Sequence, residues 1–229
     1  MRLTVDVTSD VICPWCYIGK RQMEEAIAAL PGSNEIRVRW HPFQLNPRMP
    51  ADGVDRKTYR IAKFGSWERS QMLEARVAEA GLAVGLQFAF DRIERTPNTL
   101  DAHRLIALAD ELGVQDAVVE AIFRAYFIEG RDISNASTLL DIAADAGLDR
   151  GRAEALLAGD EGVAEIRAAD EHARRSGVQG VPYFVVNDRV VIPGAAGTPA
   201  FLSILSRLEA EASGIGEGTI CEIGGGAEC

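Results

Sequence analysis

The sequence predicts an α/β fold: a four-stranded mixed sheet with helices, interrupted by a large inserted helical subdomain. Three observations carry that expectation. The first 45 residues read strand, helix, strand. Residues 183–212 read strand, strand, helix, and the block from about 55 to 176 between them is mostly helical in pattern. Neither β-containing end can bury a core alone, so the two are expected to share one sheet. The expected division is therefore 1–50 with 177–212 as one α/β unit, 51–176 as the insertion, and 213–229 as a cysteine-containing flexible tail.

The elements follow in order. In 2–9, Leu3, Val5 and Val7 alternate with Arg2, Thr4, Asp6 and Thr8, the period of a strand. From Pro14 to about Leu30, Met23, Ala26, Ile27 and Leu30 fall on one helical face, and Pro31-Gly32 stops the helix. Residues 35–41 alternate Ile36, Val38 and Trp40 with Arg37, Arg39 and His41; a polar outer face predicts an edge strand. Pro42, Pro47 and Pro50 mark a connecting loop. Helices are expected over 55–64, 67–80, 98–112, 115–128, 135–146, 149–158 and 160–176. Residues 82–97 are ambiguous. Gly81, Gly113, Gly130, Gly147, Gly159 and Gly177 stand near the helix ends, where a left-handed residue is easiest for glycine. Tyr183-Phe184-Val185-Val186 reads as a buried strand, Asn187-Asp188 as a turn, and Val190-Val191-Ile192 as its antiparallel return. Thr198-Pro199 starts a last helix running to about Ala212. Seven of the seventeen residues of the tail are glycine or serine, so it is expected to be mobile.

Composition narrows the function. The chain has 229 residues, 47% hydrophobic and 25% charged, which fits an ordered globular protein. A net charge of −10 argues against a basic nucleic-acid-binding surface. No apolar run reaches membrane-spanning length, and Met1–Asp6 lacks the apolar core of a secretory signal. A cytoplasmic location is expected. Four cysteines are too few for a disulfide scaffold, but Cys13 and Cys16 stand together near the start, and Cys221 and Cys229 in the last nine residues.

Cys13-Pro14-Trp15-Cys16 lies between a strand and a helix. Proline suits the first helical turn, which makes Cys13 the N-cap. Its sulfur is expected to face free backbone N–H groups and the positive end of the helix dipole, both favouring thiolate. Cys13 is then the nucleophile and Cys16 the resolving cysteine of a dithiol–disulfide exchange. A zinc half-site uses the same spacing, although the seven residues between Cys221 and Cys229 exceed the usual two to four. Val181-Pro182 begins the third strand oddly. A cis bond there would let the Val181 backbone lie beside Cys13, where an extended substrate could pair in β fashion.

The stretch Asp10-Val11-Ile12-Cys13-Pro14-Trp15-Cys16-Tyr17-Ile18-Gly19, with Gly180-Val181-Pro182-Tyr183-Phe184, resembles the DsbA family of thioredoxin-fold disulfide oxidoreductases. Residues 40–47, 98–104 and 126–130 resemble its FrnE-like branch, so the likeness spans about residues 3–210. It implies a thioredoxin fold with a helical insertion, a cis Pro182, and exchange by a cytosolic member. A related branch, the kappa-class glutathione transferases and 2-hydroxychromene-2-carboxylate isomerases, has serine where Cys13 stands. A glutathione-dependent small-molecule isomerase or transferase is therefore the alternative, and a zinc-binding module the third reading.

The remaining site expectations are these. Trp15 contacts substrate or packs beside the helix start. His103 could, by the resemblance, face the active-site groove as a substrate-binding residue, or be a satisfied structural histidine of the insertion. Asp10 is a turn or capping residue. His41 and His172 belong to solvated faces. Cys221 and Cys229, with Gly224-Gly225-Gly226 between them, form a second redox pair exchanging with the first, or two bystander tail cysteines. The expected substrates are protein or low-molecular-weight disulfides and dithiols. No dissociable cofactor or metal is expected; glutathione is a candidate redox partner. The protein is expected to be a monomer or homodimer with no nucleic-acid or membrane partner.

Overall fold

The computed structural model describes residues 3–30 and 36–212. The stop expected at Pro31-Gly32 and the tail with Cys221 and Cys229 lie outside the described residues. The central element is β1 (Leu3–Ser9), whose Leu3, Val5 and Val7 are buried while the residues between are half-buried. It pairs in parallel with β2 (Ile36–Pro42) and antiparallel with β5 (Tyr183–Val186), which pairs with β6 (Val190–Pro193). The sheet order is β2-β1-β5-β6. It is the expected four-stranded mixed sheet, with β2 at an edge.

Side chains fix these pairings. On the polar face, Asp6 of β1 accepts from Arg39 at 2.7 Å and lies 2.6 Å from His41 Nε2, joining three residues of two strands. The Asn187 side chain accepts from the Thr4 backbone N–H at 2.8 Å. Asn187 and Asp188 both have positive φ, 50° and 53°, as a two-residue turn following the strand twist requires. Of Ile36, Val38 and Trp40, only Trp40 is buried. Gln115 bonds its backbone N–H and carbonyl at 2.9 and 3.1 Å, and Asp116 accepts from its indole N–H at 3.0 Å.

Helix α1 (Pro14–Ala28) crosses the sheet beside α9 (Thr198–Ala212). A Cβ on Gly19 would come within 3.0 Å of the Phe184 ring and 3.2 Å of Pro182. Glycine there lets α1 seat closely on the start of β5.

The inserted stretch forms α2 (Arg56–Phe64), α3 (Trp67–Leu82), α4 (Leu100–Glu111), α5 (Gln115–Phe127), α6 (Ala136–Asp145), α7 (Arg150–Ala158) and α8 (Val163–Arg175). Side-chain caps set several starts: Asp55, Ser66, Asn135 and Asp149 each accept from a backbone N–H three residues on. Gly113, Gly130, Gly147 and Gly177 take the expected positive φ. Two glycines do otherwise. Gly81 lies within α3, where a Cβ would strike Phe88 at 2.6 Å, and Gly159 is extended at φ −119°. The ambiguous stretch 82–97 holds a 3₁₀ turn at Phe90–Arg92 and β4 (Arg95–Thr96), which pairs with β3 (Val54–Asp55) in a ladder of two residues per strand. No helix among the described residues is long and apolar enough to cross a membrane.

The insertion is welded to the sheet unit by aromatic rings. Phe123 of α5, wholly buried, stacks on Tyr17 of α1 at 5.0 Å and meets Trp40 of β2 edge-on at 6.3 Å. Lys20, 1% exposed, pairs with Asp116 and Glu120 of α5 at 3.2 Å each, and with Glu24. The carboxylates, held near water, outweigh the burial that opposes its charge, and its pKa is raised.

Candidate active site

The turn between β1 and α1 assembles the site. The Asp10 carbonyl accepts from Cys13 N–H at 3.0 Å, and the Cys13 carbonyl from Cys16 N–H at 3.0 Å. Cys13 is the N-cap of α1 in extended conformation, with Pro14 in the first helical position. Its sulfur departs from expectation: it makes no capping bond to the N–H groups of α1. The thiol instead points across to the Val181 carbonyl, 3.4 Å away. The Val181–Pro182 bond is cis. Two segments distant in sequence thus meet at the sulfur, because β1 and β5 are neighbours in the sheet.

Cys16, one turn on, is fully buried, and both cysteines are free. Burial pushes the Cys16 thiol well above its ordinary value of 9, and the adjoining Cys13 sulfur pushes it further. A consequence for stability follows. Below pH 9 the folded and unfolded states both hold this proton, so no stability is lost. Above it the unfolded chain releases the proton and the folded chain retains it, so stability falls as pH rises, by up to about tenfold in the unfolding constant per pH unit. Urea unfolding of the reduced protein between about pH 8 and 10 should show this fall, and Cys16→Ala should lack that component. Parallel curves for the two proteins would refute the assignment.

Trp15 is 41% exposed and, with Ile12, Cys13 and Pro14, forms one wall of a groove of about 440 Å³. Residues of helices α2 and α3 line it as well. That volume and a mainly apolar lining are those of a small-molecule or side-chain site. Tyr17, by contrast, is buried on Phe123, and its hydroxyl donates to Glu120 at 2.7 Å.

His103 is not among the residues that line this groove. It is 4% exposed, and its Nε2 lies 3.4 Å from Oδ1 of the fully buried Asp10. The first turn of α4 packs this face inward, beside a small void shared with Ser9 and Trp40. Asp10 does more than shape a turn: its Oδ2 accepts from Leu45 N–H at 2.7 Å, holding the proline-rich loop beside the cysteines. His41 is engaged with Asp6, as above, and His172 lies on an exposed face beside Ser176.

The sequence reading missed the charged wall. Arg56, Tyr59, Arg60 and Lys63 stand at i, i+3, i+4 and i+7, so they share one face of α2, and all four line the groove. That spacing was legible in the sequence, but the chain's overall acidity hid a local basic stripe.

Comparison with known proteins gives the following. The family model described as a DSBA-like thioredoxin domain matches residues 4–206. An uncharacterized protein of Bacillus subtilis, YwbO, is 28% identical over 207 residues, covering 90% of this chain and 97% of the relative. The crystal structure of a probable DsbA oxidoreductase from Streptomyces coelicolor is 32% identical, with a TM-score of 0.83 and coverage of 97% of this chain and 94% of that one. The cytosolic disulfide reductase DsbM from Pseudomonas aeruginosa, with GSH, shares the fold at 21% identity and TM-score 0.61, covering 90% of this chain and 98% of that one.

Proposed function

We propose, for a chain that belongs to the DSBA-like thioredoxin-domain family, that it is a thiol–disulfide oxidoreductase or isomerase working through Cys13 and Cys16. The observation that carries this reading is the arrangement at the entry to α1. Cys13 occupies the N-cap position of α1 on the wall of the groove, with its sulfur at the Val181 carbonyl and the buried Cys16 one turn behind. Exchange proceeds through the thiolate form of the attacking cysteine. The Cys13 thiolate attacks one sulfur of a substrate disulfide; that S–S bond breaks, and the departing thiolate takes a proton from water. Cys16 then gives up its proton and attacks Cys13, expelling the second substrate thiol and closing the Cys13–Cys16 disulfide. The protein loses two electrons and the substrate gains them; run backwards, the same steps oxidise a dithiol. The high pKa of Cys16 keeps it from competing with Cys13 for substrate.

Pro182 fixes the Val181 backbone beside the attacked sulfur, and the exposed Trp15 offers an apolar contact to the substrate. An extended peptide can add to the Val181 segment in β fashion. The reading places the protein in the cytoplasm, with glutathione as a redox partner and no further cofactor. His103, turned toward Asp10, is left out of the substrate site.

The test is an equilibrium titration in glutathione buffers, with free thiols alkylated and counted on each cysteine by mass. Reversible pairing of Cys13 with Cys16 is the expected result, and its midpoint gives the reduction potential. Cysteines that stay unpaired across every buffer would overturn the reading. The same spectra report whether Cys221 and Cys229 pair in step with them.

A further inference from the structure

The groove beside Cys13 carries a charge opposite to that of the chain. The protein has a net charge of −10, yet Arg56, Arg60, Lys63 and Arg76 line this groove against one carboxylate, Glu74. Glu74 is already engaged: it pairs with Arg56 and, at 2.9 Å, with Arg60. Arg60 also bonds the Ser70 hydroxyl and, at 3.3 Å, the Ser70 carbonyl. Burial pulls the Arg60 pKa below its ordinary value even with Glu74 beside it, and the neighbouring Arg56 adds to that.

Lys63 and Arg76 are exposed, and among the described residues neither has a carboxylate within 4 Å. Lys63 donates to the Tyr59 hydroxyl at 2.8 Å, a neutral partner that leaves its charge in place. Leu73, Val77, Phe90 and Ile93 give the same groove much of its apolar lining.

The geometry points to a low-molecular-weight disulfide bearing carboxylates as the substrate this groove selects, with its carboxylates on Lys63, Arg76 and Arg60, its body on the apolar lining, and its sulfur at Cys13. This rests on the exchange chemistry proposed above and names its substrate class. The groove's volume of about 440 Å³ suits a small molecule. A cleft of one sign with low-dielectric walls concentrates counter-charged ligands against the repulsion of the rest of the surface.

The experiment follows oxidation of the fully reduced protein by three aliphatic disulfides: dithiodipropionate (anionic), hydroxyethyl disulfide (neutral) and cystamine (cationic). Each rate is divided by that of the same disulfide with dithiothreitol in solution, which removes intrinsic reactivity. The normalised rates are expected to fall in that order, with about tenfold or more between first and last at low salt, and the gap should narrow as salt screens it. In Lys63→Gln/Arg76→Gln the ratio of anionic to neutral rate is expected to fall. In Arg207→Gln, on α9 and outside the groove's lining, it is expected to hold. The ratio is internal to each variant, so a loss of folded protein does not imitate it.

Equal normalised rates for the three disulfides would overturn the charge selection while leaving the oxidoreductase reading intact. No oxidation by any of them would overturn both. An acidic disulfide-linked peptide that outpaced dithiodipropionate would overturn the assignment to small molecules.

Discussion

Replacing Cys13 with alanine is expected to reduce disulfide exchange by about three orders of magnitude or more, because Cys16, the other cysteine among the described residues, cannot take its place. A catalytic nucleophile removed outright leaves only binding and orientation behind. Cys16 is fully buried, and its thiol is held protonated well above its ordinary range, so it cannot substitute. Cys16→Ala should behave differently. Cys13 still attacks, but nothing inside the protein resolves the product, and a mixed disulfide accumulates. Incubation of each variant with glutathione disulfide, read by intact mass, separates the two cases: one glutathione adduct on Cys13 in Cys16→Ala, and none at that site in Cys13→Ala. Cys13→Ser discriminates the alternative chemistry. Full retention of activity on a small molecule by that variant would favour a glutathione-dependent isomerase or transferase over disulfide exchange.

Phe123→Ala should be the most destabilising single change outside the site. The ring is wholly buried between Tyr17, Trp40 and Phe127, so truncation loses aromatic contacts and opens a cavity where α1, β2 and α5 meet. Large-to-small changes of this kind cost about 3–5 kcal/mol. For a chain of this size that corresponds to a fall of roughly 6–20 °C in Tm. Calorimetry or urea unfolding of the reduced protein checks it. A loss below about 1 kcal/mol, far under the range for such truncations, would mean that the insertion is held to the sheet by something other than this cluster. Phe123→Leu keeps most of the volume and should recover most of the stability.

The parts of this molecule that show in its sequence are those governed by local rules. Alternation at Leu3, Val5 and Val7 announces β1, Asp55 and Ser66 announce the helices they cap, and Asn187-Asp188 announces the hairpin. Pairings of two residues per strand, such as β3 with β4, are too short to have a period. Orientation is harder still. Nothing local tells that His103 turns inward to Asp10, or that the Cys13 sulfur points at a carbonyl rather than at the N–H groups of its own helix. Those are decided by what packs opposite, and the partners lie far away in the chain. The basic face of α2 is another case: its spacing is local, but its meaning came only with the groove.

The meeting of Cys13 with Val181 across a sequence separation of 168 bears on biogenesis. A ribosome delivers Cys13 well before the segment leading into β5, which supplies the Val181 carbonyl, and before the Asn187 side chain that ties the end of β5 to Thr4. Contacts of such long range form after local ones, since the intervening chain must first be closed into a loop. Until that segment has emerged and paired with β1, the cysteine pair therefore exists without the Val181 carbonyl beside it, and Cys13 is an ordinary nascent thiol exposed to whatever oxidants the cell contains.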